Sequence, residues 1–500
     1  VLVDFRPHTR LCATRDAVDF GATLGPVVEA LGAECTDLAR VRVVADWLQY
    51  RANFREPVTV RPFVAAGATD ADMAHDPVPK PPTVRDDDLE LALDVRRCAG
   101  LDAPALRDLA RRAIRGSDHV PLEGWGRMSE SCIWGFNALY WQALDLWEQA
   151  TGRSYEQALP GGESDARNRA GARELIAELF AAWDRLAERN ALPPELYVVE
   201  LGVGNGTQAK VFLDEFVAAD HEHGHEYYRR LHYLMCDYSS YVLELARKTV
   251  AEHDQHVSSF VLDATSPRTA LGFLKYKVFL VYISNVYDNL PTDEVAQLGG
   301  RTYGVQSRAC LPRPAVDELA ATTGAEPERV PALVPKLLRL GPALLAEAAP
   351  DHFGGVEDAV AFWRRTWAAL RLEERYVPLA GLDLYPLTPE ISGESLRPLL
   401  EAGADVRMHV SNGAVASFVD TLTLLHPFGT LVCHDLFVTD VQAYRTRFAG
   451  PGKYDGSVVN WVNGTLLAHL GRRRGFEVAY APFAHRDGTN VVTLTAHVRD

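Results

Sequence analysis

Tyr197-Val-Val-Glu-Leu-Gly-Val-Gly-Asn-Gly-Thr207 is the stretch whose reading decides the fold of this chain. The apolar run from Leu196 to Val199 predicts a buried strand. It runs through Glu200 into three alternating glycines, Gly202, Gly204 and Gly206, and then into apolar positions at helical spacing from Gln208 to Phe216. Strand, glycine turn and helix together make a nucleotide-type site, because glycine permits positive φ and lets a ligand approach the backbone. The acidic residue before the turn repels a pyrophosphate and can hold a cation such as an amino group.

Downstream, strand and helix alternate. His232–Cys236 predicts a strand ending at Asp237, Ser239–Glu252 a helix, and Ser259–Leu262 a strand ending at Asp263. Tyr276–Ser284 reads as a long strand ending at Asn285. After an interruption, Arg407–Val410 reads as a short strand, Ala414–Leu425 as a helix and Gly429–His434 as a strand. Leu466–Gly475 then reads as a helix, and Phe476–Pro482 with Asn490–Val498 as a closing hairpin around Asp487-Gly488. This is the pattern of a doubly wound, Rossmann-like α/β sheet with a terminal antiparallel hairpin.

Upstream, Asp165–Asn190 predicts a helix. The aromatic run from His119 to Gly152 puts Trp134, Tyr140, Trp141 and Trp147 near one helical face, read as core packing. Leu89–Arg115 reads as helical, and the Ala-, Asp- and Pro-rich stretch 65–88 as a linker. Pro312–Glu374 reads as helical and interrupts the sheet pattern. The expected division is an N-terminal region at 1–118, a catalytic domain at 119–310 and 400–500, and an inserted, mostly helical cap at 311–399.

Five hundred residues exceed one compact core. The 51 basic and 67 acidic residues give a net charge of −16, which argues against nonspecific nucleic-acid binding. Seven scattered cysteines suit reduced thiols in a cytoplasm. No apolar run has the length of a membrane span, and no signal peptide is expected. Neither nucleic acid nor membrane is an expected partner, whereas a homodimer is compatible with the chain.

In open α/β sheets ligands bind beyond the carboxyl ends of the strands. The strand ends here are Glu200, Asp237, Asp263, Asn285 and His434-Asp435. Each acidic group has a task on one adenosyl ligand: the glycine loop meets its amino-acid moiety, Asp237 accepts the ribose hydroxyls, and Asp263 accepts the adenine amino group. A dinucleotide site would need G-x-G-x-x-G, but Thr207 stands where the third glycine belongs. His221-Glu-His-Gly-His225 satisfies H-E-x-x-H, yet Gly224 interrupts it, so a polar connecting loop is expected there and no metal site.

These residues resemble the class I S-adenosylmethionine-dependent methyltransferases. More narrowly, the chain resembles the MidA-like family, which includes the mitochondrial complex I assembly arginine methyltransferase. The family's glycine motif corresponds to Glu200-Leu-Gly-Val-Gly-Asn-Gly-Thr-Gln208, and its Asn-Glu-x-x-Asp-Ala-x-Pro motif to Asn285-Val-Tyr-Asp-Asn-Leu-Pro291. Its late Asp-Tyr-Gly strand resembles Gly429–Leu436, and Tyr454–Asn463 and Ser129–Phe136 give looser matches. Val286 departs from the family's acidic residue, and Leu436-Phe437 from its Tyr-Gly.

The resemblance implies S-adenosyl-L-methionine as cofactor, bound by Glu200, Gly202, Gly204, Gly206, Thr207, Asp237, Tyr238, Asp263, Ala264 and Asn285. It implies methyl transfer to a protein or peptide side chain; the lost acidic residue also makes a small-molecule nucleophile tenable. Asn285, Tyr287, Asp288 and His434 are the expected catalytic residues, with His434 as general base because its ordinary pKa is nearest neutrality. Asp435 lies near the same rim, and Asn460, Trp461 and Asn463 are candidates to line an acceptor pocket. The alternative from another class is a cofactor-binding, non-catalytic assembly protein.

Overall fold

The computed structural model describes residues 2–5, 20–34, 41–46, 53–62, 89–115, 118–158, 168–403, 406–446, 450–486 and 488–499. The stretch 65–88, expected as a linker, lies outside the described residues, as does Asp487 at the expected hairpin turn.

A seven-stranded sheet carries the site. Its strands are β1 (Leu196–Leu201), β2 (Leu231–Asp237), β3 (Val257–Val261), β4 (Val278–Ser284), β5 (Leu425–Asp435), β6 (Phe476–Pro482) and β7 (Val492–Val498). Their spatial order is β6-β7-β5-β4-β1-β2-β3. β7 runs antiparallel to both β5 and β6, and the six other strands all run in the same direction. The order reverses between β1 and β4, where two adjacent strands send their connections to opposite sides and leave a crevice.

Both faces are covered, so the inner strands are apolar throughout: β4 is buried over its first six residues, Val278 to Ile283. On one face Val198, Tyr233 and Phe279 pack against Ile176, Trp183, Phe212 and Phe216 of helices Arg169–Glu188 and Thr207–His223. On the other, Val199, Val281 and Cys433 pack against Phe418 and Leu467 of helices Asn412–Leu422 and Gly464–Arg473. Asn168 caps the first of these helices, its side chain accepting from Ala170 N and Gly171 N.

A second, antiparallel sheet departs from the sequence pattern. Glu294–Leu298, Arg301–Pro312, Arg371–Pro378 and Val406–His409 form it, with His119–Pro121 and Gly126–Arg127 added to the Arg301–Pro312 strand. The excursion from the main sheet therefore begins at Glu294, and it contains strands as well as helices Arg313–Thr323, Val330–Ala348 and Val356–Ala369. Val406–His409 pairs with Glu294–Gln297 and so belongs to this sheet, outside the doubly wound one. These helices share a core with Trp134, Tyr140 and Trp147, so three of the four aromatic residues read as core packing are buried there; Trp141 packs against its edge.

The N-terminal residues form a separate four-stranded sheet with its own core around Val27, Leu31, Val43, Leu91 and Leu106. Leu89–Asp94, expected to be helical, is a strand here: Leu89, Leu91 and Leu93 recur at the two-residue period of a strand, and the segment pairs with Val41–Asp46. Helix begins only at Val95.

Candidate functional site

The glycine turn follows β1 directly. Gly202, Gly204 and Gly206 have φ of 76°, 57° and 80°, the left-handed region where a side chain is strained. Crowding requires glycine as well. A Cβ on Gly206 would lie 2.7 Å from Ala246 Cα, so the third glycine lets helix Ser240–Thr249 pack close. A Cβ on Gly202 would meet Val286 Cγ2 at 2.3 Å, and one on Gly204 the Tyr155 hydroxyl at 2.6 Å. Gly202 N and Val203 N donate to Cys236 O at 2.8 and 3.2 Å, tying the turn to β2.

Asp237 closes β2 and is drawn to the turn. Its Oδ2 accepts from Gly204 N at 3.2 Å and its Oδ1 from Ser239 N at 3.0 Å. Burial pushes its carboxyl up to about 6, against the pull of those backbone donors. Glu200 is 3% exposed and accepts from the Tyr233 hydroxyl at 2.6 Å. Burial, and secondarily the nearby Asp237 charge, pushes it up to about 8, while the Tyr233 bond works the other way. A buried carboxyl of that kind favours a cationic partner.

The remaining expected binding residues ring these two. Asp263 is exposed beyond β3, its Oδ1 accepting from Thr265 N and Oγ1, both at 2.8 Å; Ala264 follows it, half-buried. Thr207 opens the helix after the turn, with its N–H on Asn205 Oδ1 at 3.1 Å. Tyr238 is exposed, and its hydroxyl accepts from Gln142 Nε2 at 2.9 Å. Gln142, Trp141 and Tyr155 precede β1 in sequence and come over the turn from above; Trp141 and Tyr155 meet edge to face at 5.8 Å. Tyr155, Gln142 and Tyr233 were missed by sequence reasoning, and nothing in their local pattern distinguishes them from core or surface residues.

The β4 and β5 ends form the other rim. Asn285 has φ of 52°, and its N–H donates to His434 O at 2.9 Å. That left-handed turn starts the short 3-10 helix Tyr287–Asn289. Asp435, fully buried, accepts through Oδ2 from Val286 N, Tyr287 N and Asp288 N at 3.1, 2.7 and 3.3 Å, and through Oδ1 from Leu436 N at 2.7 Å. Four N–H donors keep Asp435 the more acidic of a carboxyl pair: burial pushes it up to about 6, whereas burial and the Asp435 charge hold Asp288 well above the ordinary range.

The four expected catalytic residues do not converge equally. Tyr287 is 2% exposed inside the apolar core under helix Asn412–Leu422, away from the rim. Asp288 is buried behind it, bound by Asn289 Nδ2 at 2.8 Å. His434 hydrogen-bonds Thr493 Oγ1 through Nδ1 at 2.9 Å and packs on Tyr282 and Phe483. Burial drives its pKa down to about 4, which makes it a weak proton acceptor at neutral pH. Asn285 alone sits half-buried at the crevice between β1 and β4. Asn460 and Asn463 are buried, Asn460 N donating to Asp288 O at 2.9 Å and Asn463 capping the helix that follows it; Trp461 is half-buried.

The H-E-x-x-H stretch, expected as a connecting loop, is helical over its first three residues and turns only at Gly224. The helix ends at His223, Gly224 turns left-handed at φ of 68°, and His221 and His225 share no helical face.

Residues 175–328 match the family model described as "Putative S-adenosyl-L-methionine-dependent methyltransferase". That stretch, which holds the glycine turn, Asp237, Asp263 and Asn285, is the core of a class I S-adenosylmethionine-dependent methyltransferase. S-adenosylmethionine is the cofactor, and the glycine cradle, the buried carboxylates and the absence of a third dinucleotide glycine fit it. No curated protein matches the chain. Among solved structures, a Burkholderia thailandensis "likely methyl transferase" bound to S-adenosyl-homocysteine is 15% identical, covering 75% of this chain and 88% of its own, with a TM-score of 0.42. The CcbJ methyltransferase of Streptomyces caelestis is 12% identical, covering 73% and 99%, with a TM-score of 0.31. Among the described residues, no helix of this methyltransferase is long and apolar enough to cross a membrane.

Proposed function

We propose that this methyltransferase moves a methyl group from S-adenosylmethionine to a nucleophile on a protein or peptide side chain or on a small molecule. The observation that carries the reading is the arrival of the glycine turn, Asp237 and Asn285 at the carboxyl ends of three neighbouring strands, at the point where the strand order reverses. In this reading Asp237 accepts the ribose hydroxyls, Asp263 and Ala264 meet the adenine, and Glu200 answers the positive charge of the amino-acid end.

When bound, the cofactor supplies a methyl already activated on a sulfonium. The chain's own task is to align the nucleophile and exclude water. Asn285 orients the acceptor through its amide. Helices Cys132–Gln142 and Tyr155–Ala158 cover the adenosyl end, and the excursion from Glu294 encloses the acceptor side. Asn137 supports the enclosure: its Nδ2 donates to Asn289 O and its Oδ1 accepts from Val458 N, both at 2.9 Å, joining cover and rim. The division into an N-terminal region at 1–118, a catalytic domain at 119–310 and 400–500 and a cap at 311–399 belongs to the same reading, with the sheet that joins the cap beginning at Glu294 and returning at Val406–His409.

Calorimetry with S-adenosyl-homocysteine tests the site: wild type binds and Asp237→Ala does not. Unchanged affinity in Asp237→Ala overturns the assignment. Release of S-adenosyl-homocysteine from S-adenosylmethionine with peptide or small-molecule acceptor pools tests turnover. Binding without release against any pool supports the non-catalytic assembly role instead.

A further inference from the structure

Away from the glycine turn, three strands bring together a histidine, a cysteine and a carboxylate. His119 stands on His119–Pro121, Cys310 on Arg301–Pro312 and Glu373 on Arg371–Pro378. Pro312 pairs with His119, Cys310 with Arg371 and Arg308 with Glu373, so the three residues are diagonal neighbours on one face of the antiparallel sheet. Their ligand atoms all lie within 4.8 Å of one another. His119 Nδ1 is 3.2 Å from Glu373 Oε1 and 3.5 Å from Cys310 Sγ.

The two separations from His119 Nδ1 match edges of a zinc tetrahedron. Zinc bonds of ~2.0–2.1 Å to nitrogen, ~2.0–2.2 Å to oxygen and ~2.3 Å to sulfur put nitrogen and oxygen about 3.3 Å apart, and nitrogen and sulfur about 3.6 Å apart. We propose that His119, Cys310 and Glu373 bind a divalent zinc-type cation, with solvent in the fourth position.

Outer contacts orient the ligands as metal sites require. Arg308 Nε holds Glu373 Oε2 at 2.6 Å, which turns Oε1 toward His119. Glu56 Oε1 stands 4.0 Å from His119 Nε2, the ring nitrogen that stays outside the site, and Arg371 Nε fixes Glu56 at 2.9 Å. Thiolate and Glu373 carboxylate together offset the dication's two charges, and the thiol proton leaves to solvent as the S–H bond gives way to the metal–sulfur bond. Side chains of His119 and Glu373 are 13% and 20% exposed, enough for entry of the ion. The site lies outside the adenosyl crevice and joins residues 53–56 and 119–121 to the inserted sheet, so its role is to staple them. Because its ligands are separated by 191 and 63 residues, no short spacing motif announces it.

The test uses the full chain, stripped with chelator and titrated with zinc or cobalt(II). The expected result is about one equivalent of zinc, and a cobalt complex with thiolate-to-metal charge-transfer absorption. Cys310→Ser and His119→Ala should each weaken binding by about a hundredfold or more, with the cobalt band lost in Cys310→Ser, while Cys132→Ser keeps both. Should a ligand variant fail to fold by circular dichroism, the wild-type stoichiometry and cobalt band decide alone. Less than about a tenth of an equivalent in wild type, a cobalt complex without the thiolate band, or full binding in a folded Cys310→Ser chain overturns the proposal.

Discussion

The Cγ2 methyl of Val286 occupies the space that a Cβ on Gly202 would need, 2.3 Å from that position. The residue that departs from the family's acidic pattern thus packs on the first glycine of the cofactor turn. Gly202→Ala should then suffer twice, from its φ of 76° and from the clash. We expect a loss of about 2–4 kcal/mol in urea unfolding, with much weaker S-adenosyl-homocysteine binding by calorimetry. Adding Val286→Ala should restore about half of the lost stability, because it relieves the clash and leaves the φ strain. Equal stability of wild type and Gly202→Ala refutes this packing.

Glu200, pushed up to about 8 by burial, gives a pH signature. Its folded-state pKa exceeds its unfolded one, so between about 4.5 and 8 the folded chain holds a proton that the unfolded chain gives up. Stability from this group is therefore present at low pH and falls as pH rises through that window. Glu200→Gln lacks this slope: its melting temperature should gain on wild type from pH 5.5 to 8.5. A cofactor cation should draw the proton off, so binding at pH 7 releases nearly one proton in wild type and almost none in Glu200→Gln. Calorimetry in phosphate and in Tris measures this; identical heats in the two buffers for wild type exclude it.

The parts legible in the sequence were those specified within a few neighbouring residues. A strand, a glycine turn and a helix lie inside about twenty positions, and Asp237 and Asp263 mark their own strand ends. Pairing over long separations was not legible. Glu294 pairs with His409 and Gln306 with Arg375, and neither strand has a periodicity that names its partner. The same limit hid Tyr155, which reaches Gly204 only through the packing of a preceding helical layer. At the rim, residue type located Asp288 and His434, but burial decided their chemistry.

His434, with its pKa driven down to about 4, should stay neutral from pH 5 to 8. Its ring lies 5.0 Å from Phe483 and 5.4 Å from Tyr282, a packed setting rather than an open one. We expect no titration of its ring resonances over that range by NMR. With an active acceptor, His434→Gln should lower kcat by less than about tenfold, whereas loss of a general base costs roughly 10²–10⁴-fold. A drop of that size would restore His434 as the base.

Asp435 gathers four backbone donors onto one buried carboxylate. Asp435→Ala leaves the N–H groups of Val286, Tyr287, Asp288 and Leu436 to find other partners in a dry interior. The expected cost is about 3 kcal/mol, measured by urea unfolding. Because these donors hold the turn at Asn285, hydrogen exchange at residues 286–288 should quicken well beyond the change at β2. Unaltered protection there would mean that Asp435 does not hold the turn.

Tyr155 is the test of the cover. Its hydroxyl lies 2.6 Å from the Cβ position of Gly204, and its ring packs edge to face on Trp141. In the proposed site a tyrosine there should shield the adenosyl end from water without belonging to the sheet. Tyr155→Ala should weaken S-adenosyl-homocysteine binding by about tenfold, ~1.4 kcal/mol, while leaving the melting temperature of the ligand-free chain within a few degrees. Tyr155→Phe separates the two contributions: retained affinity assigns the effect to ring burial, and loss equal to that of Tyr155→Ala assigns it to the hydroxyl. Wild-type affinity in Tyr155→Ala would show that helix Tyr155–Ala158 is no cover for the cofactor.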